Sequence, residues 1–286
     1  MKLSSLPWGP IYHDEITTAE WFPYAKDIGL DGVELMDGWF NPAKKCLSDF
    51  NVGISRIRQE LFVPEIVERV KEEVLGSGHE ICMLTVHNRF CRFSEEEKQE
   101  EVDHLRICME VAREFGTNRL RVIAAGWPVE GKDVSRGEAM EACIDAVWRC
   151  VEAARQENCF LILENHPGLS ADVESYAEIF RRVDSPHFGA NLDCKNTRRV
   201  NQEPTEFLDR EEILSRLMCL HVDNFASTLK GWNRSVSVEE GEVDIATVLR
   251  RLKAHGYDGW LSIEYGGVGI EKVARSAQYV RRIWRE

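Results

Sequence analysis

The sequence predicts a (β/α)8 barrel, the TIM barrel architecture, built as a single domain over residues 1–286. Short apolar runs with strand character alternate along the chain with stretches of helical periodicity. The length of 286 residues fits this fold, because such barrels typically contain about 250 residues. No segment of changed composition marks a linker, so one barrel accounts for the whole chain.

The first half of the chain supplies four predicted strands, at residues 3–8, 33–36, 81–86 and 119–124. A helix is predicted after each strand, beginning near Thr18, Pro64, Ser94 and Ser135. Ser94 is a strong helix start because three glutamates follow it, and acidic side chains are favourable at the positive end of a helix. Residues 37–64 are predicted to form an ordered loop over the mouth, since the segment is long and carries aromatic side chains.

Four apolar runs in the second half each end in a residue type that binds divalent metal ions. They are Phe160–Glu164, Phe188–Asp193, Leu217–His221 and Trp260–Glu264. Each run has the length and composition of a buried parallel strand. Helices are predicted at 171–183, 204–216, 244–255 and up to residue 284, and residues 223–242 form a second predicted mouth loop.

The four residues that end these runs are predicted to meet, because all strand C-termini of such a barrel open onto one face. They are Glu164, Asp193, His221 and Glu264. An isolated acid at a strand end is often a helix N-cap, but four such residues at consecutive strand ends favour a site for one divalent cation. The two glutamates are also candidate catalytic residues, one removing a carbon-bound proton and the other returning one. Either glutamate fits either role.

Four further residues are predicted to bind substrate at the mouth: His87, His166, Lys195 and Trp127. Lys195 suits a substrate carboxylate, a phosphate or a developing oxyanion, and a salt bridge to a neighbouring acid is the alternative. Trp127 falls in a predicted mouth loop, as do Trp8, Trp39 and Trp232, where a ring can cover a sugar or simply pack. Arg121 is expected to pair with Glu34 inside the barrel. The other five histidines (His13, His79, His104, His187 and His255) are expected at surfaces or helix ends.

Composition narrows the possible partners. A net charge of −13 disfavours binding to nucleic acids, because a protein that contacts their phosphates needs a basic surface. It also disfavours binding to an anionic membrane surface. No apolar run is long enough to span a bilayer, and the N-terminus lacks the pattern of a signal peptide, so we expect a cytoplasmic protein. The nine cysteines are odd in number and contain no Cys-x-x-Cys pair, which favours reduced, buried thiols.

The sequence resembles the xylose-isomerase-like sugar phosphate isomerase/epimerase family of TIM barrels. The matching segments span nearly the whole chain and are Thr85–Asn88, Leu120–Val122, Leu163–His166, Asn191–Asp193, Leu220–Val222 and Gly256–Glu264. The resemblance implies that the four strand-end residues hold the metal and that Glu164 and Glu264 are the proton-transfer pair. It also implies manganese as the favoured ion, with magnesium, cobalt or zinc as alternatives.

The resemblance is incomplete at the positions that contact the substrate. Ketose 3-epimerases of this family carry a histidine, a glutamate and an arginine at positions occupied here by Asn196, Ser170 and Ser227. We therefore expect a metal-dependent isomerase or epimerase of a sugar or sugar derivative, acting through an enediolate, but not a simple ketose 3-epimerase. The alternative is a lyase (a dehydratase, decarboxylase or β-eliminase) that uses the same site on a keto-sugar or sugar acid.

Two functions that do not involve this chemistry are disfavoured. A metal-dependent endonuclease exists on a related barrel, but the negative charge suits DNA poorly. A non-catalytic sugar-binding protein has no need for both glutamates. The turn Gly266–Gly269 is a possible anion site through its backbone N–H groups. A homodimer is the expected assembly.

Overall fold

The computed structural model describes residues 1–49, 54–125, 133–228 and 234–286, and for residues 54–56 it describes the backbone only. Eight parallel strands form a nearly closed barrel with helices between them, in one domain. The barrel strands are β1 (Lys2–Leu6), β2 (Gly32–Met36), β3 (Glu80–Thr85), β4 (Arg119–Ile123), β5 (Phe160–Glu164), β6 (Phe188–Asp193), β7 (Leu217–His221) and β10 (Trp260–Glu264). An antiparallel pair, β8 (Phe225–Ala226) and β9 (Arg234–Ser235), lies between β7 and β10 in the chain.

The strands follow the order β1, β10, β7, β6, β5, β4, β3, β2, so β1 and β2 are the two that must meet to close the barrel. They meet without a regular ladder. Asp31 joins them instead: its N–H donates to the carbonyl of Leu3 over 2.8 Å, and its Oδ2 accepts from the N–H of Leu3 over 2.9 Å. All strand C-termini consequently face one mouth.

The helices alternate with the barrel strands as the apolar periodicity predicts. They are α1 (Trp8–Tyr12), α2 (Thr18–Asp27), α3 (Ile54–Glu60), α4 (Pro64–Ser77), α5 (Glu95–Glu114), α6 (Arg136–Gln156), α7 (Val173–Arg182), α8 (Cys194–Arg199), α9 (Pro204–Leu208), α10 (Glu211–Leu214), α11 (Ile245–His255) and α12 (Glu271–Arg285). Ser94 and Ser135 cap α5 and α6 in complete capping boxes, so both predicted helix starts are confirmed. None of the helices in the described ranges has the length and apolar character to cross a bilayer.

The interior of the barrel divides into an apolar end and a polar end. The apolar end is a small cluster of Cys82, Met83, Ile162, Cys219 and Trp260. Ile162 and Cys219 lie two residues before Glu164 and His221, so their side chains point inward one layer below the mouth. The main hydrophobic core packs between the sheet and the helices. This apolar floor keeps the polar residues of the mouth at one end of the barrel.

Several boundaries differ from the prediction because short elements carry little periodicity. The predicted helix at 204–216 is two short helices, α9 and α10, and α8 was not predicted. Trp8 begins α1 instead of lying in a loop or ending the first strand. The mouth segment 37–64 contains two 3-10 turns, at Asp37–Phe40 and Leu47–Asp49, and the helix α3. His104 is 5% exposed, so its expected surface position was wrong.

The cysteines match the expectation of free thiols. All nine are unpaired; eight are buried and Cys46 is partly exposed. Several lie on the apolar faces of α5 and α6, where they pack as small hydrophobic side chains.

Candidate metal centre and active site

The four strand-end residues predicted as ligands lie together at the mouth of the barrel. One donor atom from each of Glu164, Asp193, His221 and Glu264 lies within 4.8 Å of the others. His221 Nδ1 is 2.7 Å from Glu264 Oε2, 3.4 Å from Glu164 Oε2 and 4.0 Å from Asp193 Oδ2. The C-terminal ends of β5, β6, β7 and β10 supply these atoms from consecutive barrel positions. The cluster is a compact set of three carboxylates and one imidazole.

Two atoms of this cluster lack the hydrogen bonds that buried polar atoms normally make. His221 Nδ1 and Glu264 Oε2 are both buried and have no hydrogen-bond partner with acceptable geometry, although they lie close together. Buried polar groups are nearly always satisfied, so an orphaned nitrogen facing an orphaned carboxylate oxygen requires a reason. A shared cation provides one, because both atoms would donate lone pairs to it. The donor set therefore fits a divalent metal ion.

Glu34 on β2 orients the imidazole from the other side. Its Oε2 lies 3.2 Å from His221 Nε2 and accepts a 2.8 Å hydrogen bond from Ser262, while Oε1 accepts one from Thr85. With Nε2 protonated toward Glu34, the lone pair of Nδ1 points at the three carboxylates. A carboxylate behind a ligating histidine fixes the ring in this way in many metal sites. The expected pairing of Arg121 with Glu34 was wrong: Arg121 instead makes a buried ion pair with Glu164.

Neutral donors hold one oxygen of each of the three carboxylates. Trp8 Nε1 donates to Glu264 Oε1 over 2.8 Å, and Asn196 Nδ2 donates to Glu164 Oε1 over 3.0 Å. The N–H of Asn196 also donates to Asp193 Oδ1 over 2.6 Å, so Asp193 caps α8 while its other oxygen faces the cluster. Glu264 and Asp193 thus each have one oxygen fixed by these donors, whereas both oxygens of Glu164 are engaged, because its Oε2 also accepts from Arg121.

The electrostatics of the mouth favour a cation. Burial lowers the pKa of His221, but Glu34 and Glu264 outweigh it and raise that pKa well above its usual range. Burial also raises the pKa of Asp193, and the neighbouring carboxylates of Asp223 and Glu164 raise it further. Burial opposes ionisation of Glu264, yet His221 and Arg121 hold its pKa well below normal. The carboxylates therefore draw positive charge to this position, whether it is a proton or a metal ion.

A cavity of about 280 Å³ lies beside the cluster. Three of the predicted substrate-binding residues line it: His87, His166 and Lys195. Lys195 also forms a salt bridge with Asp223, with 3.1 Å between Nζ and Oδ2. The alternative predicted for this residue, a salt bridge to a neighbouring acid, is therefore confirmed, and Lys195 lines the cavity as well. Burial lowers the pKa of His166 to about 4, which makes a neutral hydrogen-bonding imidazole. The fourth predicted residue, Trp127, lies outside the described residues, as does Trp232.

A second group of possible metal donors, Asp37, Cys46 and His87, lies next to the cavity. Both oxygens of Asp37 already accept hydrogen bonds, from the N–H groups of Gly38, Leu47 and His87 and from the His87 ring over 3.2 Å. Asp37 is therefore a hydrogen-bonded partner that orients His87, and both of its oxygens are already engaged within the protein.

Trp8 was expected at the mouth for its ring, and it lines the cavity while its ring nitrogen donates to Glu264. Sequence reasoning missed the roles of three residues: the orienting carboxylate Glu34, the donor Asn196, and Arg199, which lines the cavity. A signal was available for Asn196 and Arg199, since Asp193 directly after a strand is a residue type favoured at a helix N-cap. The glycine turn proposed as an anion site is already filled by the chain itself. The N–H groups of Gly269 and Ile270 donate to the carboxylate of Glu15, each over 2.7 Å.

Fold and site together define a (β/α)8 barrel with a cluster of carboxylates and one imidazole, suited to a divalent ion, at its C-terminal mouth. Residues 22–283 match the family model described as xylose isomerase-like TIM barrel, and the chain belongs to this family. Among curated proteins, the uncharacterized protein MJ1311 of Methanocaldococcus jannaschii is 28% identical over 132 residues. That match spans 44% of this chain and 44% of the relative, less than half of each.

Solved structures share the fold over nearly the full length. The probable 3-DHS dehydratase AsbF from Bacillus anthracis has a TM-score of 0.74 at 20% identity, covering 98% of this chain and 99% of that one. The 3-keto-D-glucoside 4-epimerase YcjR from E. coli has a TM-score of 0.70 at 16% identity, covering 99% of both chains. The IolI protein, solved with a zinc atom, has a TM-score of 0.69 at 16% identity, covering 100% of this chain and 95% of that one. At these identities the likeness shows the shared barrel.

Proposed function

We propose that this protein is a divalent-metal-dependent isomerase or epimerase of a sugar or sugar derivative. The observation that carries the proposal is the pair of buried, unpartnered atoms, His221 Nδ1 and Glu264 Oε2, within a cluster of three carboxylates. Glu164, Asp193, His221 and Glu264 would hold the ion. When bound, a metal at this position polarises a substrate carbonyl and the neighbouring hydroxyl, which acidifies the intervening C–H bond.

The residues of the chain supply the proton transfers. Glu164 and Glu264 come from β5 and β10, with β6 and β7 between them, so their carboxylates approach the cavity from different sides. One removes a proton from the substrate carbon to give an enediolate and the other returns a proton to this or the adjacent carbon. Trp8 and Asn196 hold the two carboxylates in place, and His87 and His166 offer hydrogen bonds to substrate hydroxyls.

Manganese is the ion we favour, with magnesium, cobalt or zinc as alternatives, because an oxygen-rich set with one imidazole suits all four. The proposed partner is a small carbohydrate, with no nucleic acid and no membrane, and the proposed assembly is a homodimer. The free thiols suit a reducing compartment such as the cytoplasm.

The first test is the metal content of protein purified without chelator. We expect about one divalent ion per chain in the wild type and none in Asp193→Ala or His221→Ala. Asp209→Ala is the matched control, because it removes an exposed carboxylate that pairs with Arg251 outside the mouth. Absence of metal from the wild type, even after incubation with Mn²⁺, would overturn the proposal.

The second test follows the proton. In D2O, sugars, keto-sugars and sugar acids that are substrates are expected to gain deuterium at the reacting carbon. Glu164→Gln and Glu264→Gln should each abolish conversion of the substrate, and the variant that also loses deuterium exchange has lost the residue that removes the proton. Conversion at the wild-type rate in either variant would show that the residue is not part of the pair.

A lyase reaction is the second candidate. The barrel of a protein described as a probable dehydratase, AsbF, superposes on this chain, and a dehydratase begins with the same proton removal. The two outcomes differ in product mass. An isomerase or epimerase conserves the mass of the substrate, whereas a lyase releases water, carbon dioxide or another fragment, so mass spectrometry of the products separates them.

A further inference from the structure

One wall of the cavity carries two basic side chains that the chemistry above does not use. Lys195 and Arg199 lie four residues apart on α8, a spacing that puts both on one face of a helix. Both line the cavity beside the candidate metal centre. Their neighbour Arg198 belongs to another face and pairs with Glu203. The cavity therefore has a basic edge beside its acidic cluster.

Arg199 is uncommitted. It is exposed and has no carboxylate within salt-bridge distance in the described ranges of the chain, whereas the adjacent Arg198 pairs with Glu203. Acids outnumber lysines and arginines by 49 to 36, so a shortage of carboxylates is not the cause. A guanidinium that borders a cavity and lacks an internal partner is available for an anion that enters it.

The charge of this edge indicates which anion fits. Lys195 is balanced by Asp223 through their 3.1 Å salt bridge, so Arg199 leaves a net charge of one on the wall. A divalent ion and Arg121 would together balance the three carboxylates of the cluster, so the described lining offers only that one positive charge to an anion on the ligand. A planar guanidinium also matches the two oxygens of a carboxylate. A singly charged carboxylate suits this wall better than a phosphate dianion.

The other backbone anion site near the mouth is closed to substrate. Glu15 already occupies the N–H groups of Gly269 and Ile270 through both of its oxygens. Arg121 also lines the cavity but pairs with Glu164, so among the described cationic side chains of the lining we assign the α8 pair to an anionic substituent.

We propose that the substrate carries a carboxylate, bound by Arg199 with Lys195 beside it, so that the enzyme acts on a polyhydroxy acid or keto acid derived from a sugar. The assignment rests on the proposed function, because it supposes that the cavity takes a carbohydrate. It also explains how one cavity separates the two ends of its ligand: the hydroxyl and carbonyl groups lie at the acidic cluster, and the carboxylate lies at the basic edge.

The test uses three probes with one six-carbon polyol chain: glucitol, gluconate and glucitol 6-phosphate, which are neutral, a carboxylate and a phosphate. Binding to the Mn²⁺-treated full-length protein is measured by calorimetry. We expect gluconate to bind most tightly and to bind about tenfold to a hundredfold more weakly to Arg199→Gln and Lys195→Met. Arg198→Gln is the matched control, because it removes the same charge from the same helix outside the cavity; it should bind gluconate as the wild type does. Glucitol binding should be unchanged in all variants.

Several results would overturn the assignment. They are a preference for glucitol 6-phosphate, gluconate binding no tighter than glucitol binding, or equal losses in Arg198→Gln and Arg199→Gln. Gluconate that binds through the metal alone would lose no affinity in the Arg199 and Lys195 variants, which also counts against it. Metal content measured on the same samples separates the two proposals: a loaded protein without carboxylate preference refutes the subsite alone, whereas a protein that takes up no metal refutes the proposed function.

Discussion

Replacement of Glu34 tests whether the buried carboxylate behind His221 sets the metal affinity of the site. Glu34 is fully buried and makes three contacts, with Thr85, Ser262 and His221. In Glu34→Gln the amide oxygen can still face Ser262 and His221, and the amide NH2 can donate to the Thr85 hydroxyl. The substitution therefore removes the charge and keeps the three contacts, with the direction of the hydrogen bond to Thr85 reversed.

The expected magnitude follows from that difference. A hydrogen bond to a charged group contributes about 1.5–3 kcal/mol and a neutral one about 0.5–1.5 kcal/mol, so the loss is about 1–1.5 kcal/mol. That corresponds to about tenfold weaker metal binding. Glu34→Ala also frees the imidazole to rotate, and we expect a loss nearer a hundredfold.

The assay is calorimetric titration of Mn²⁺ into metal-stripped protein at fixed pH, with Glu101→Gln as the control. Glu101 is another buried carboxylate, paired with Arg92, and lies outside the metal cluster. Its substitution should lower the melting temperature and leave the affinity for Mn²⁺ unchanged. Equal Mn²⁺ affinity in Glu34→Gln and the wild type would refute the orienting role of Glu34.

Three further predictions concern other parts of the structure. Burial lowers the pKa of His104, so as the pH falls the unfolded chain takes up a proton at this residue before the folded protein does. The stability that neutral His104 contributes is therefore present above about pH 6.5 and is lost as the pH falls below that value. His104→Gln should flatten the resulting decline in melting temperature. Trp8→Phe removes the 2.8 Å hydrogen bond to Glu264 and keeps an aromatic ring, so kcat should fall about tenfold while metal content is retained. Burial raises the pKa of the Cys46 thiol and the other eight cysteines are buried, so a thiol reagent should modify at most one cysteine in the native protein and nine after denaturation.

The sequence could predict the strand ends because a local pattern determines them. Each apolar run in the second half ends at a polar residue, and the barrel fold sends every such end to one mouth. The positions of the four candidate ligands follow from these two facts alone. Whether they hold a metal and carry the catalysis remains a prediction, which metal analysis will test.

Residues that depend on tertiary pairing were harder to predict. Glu34 and Arg121 both lie inside strands, and the sequence suggested that they pair with each other. In the folded barrel Arg121 reaches Glu164 on the neighbouring strand β5, and Glu34 reaches His221 across the interior. Which of several acids a buried arginine selects depends on barrel register, which has no signal in a single strand.

Arg199 was missed for a different reason. It lies in α8, a helix of six residues that begins directly after a strand, and so short a helix has no clear apolar period. Because α8 was not predicted, the four-residue spacing of Lys195 and Arg199 did not indicate that their side chains share one face of a helix. The N-cap of α8 was the available signal, but Asp193 was already predicted to be a metal ligand. In the structure one oxygen of Asp193 caps α8 and the other faces the candidate metal cluster.

The position of β10 between β7 and β1 has a consequence for folding kinetics. Its ladder with β1 joins residues 258 positions apart, and contacts of such long range form slowly because a large loop must close first. Glu264 is at the end of this strand, so the fourth donor arrives when β10 is inserted. Recovery of Mn²⁺ binding during refolding is therefore expected to report the step that closes the barrel, and it should lag behind the recovery of helical signal.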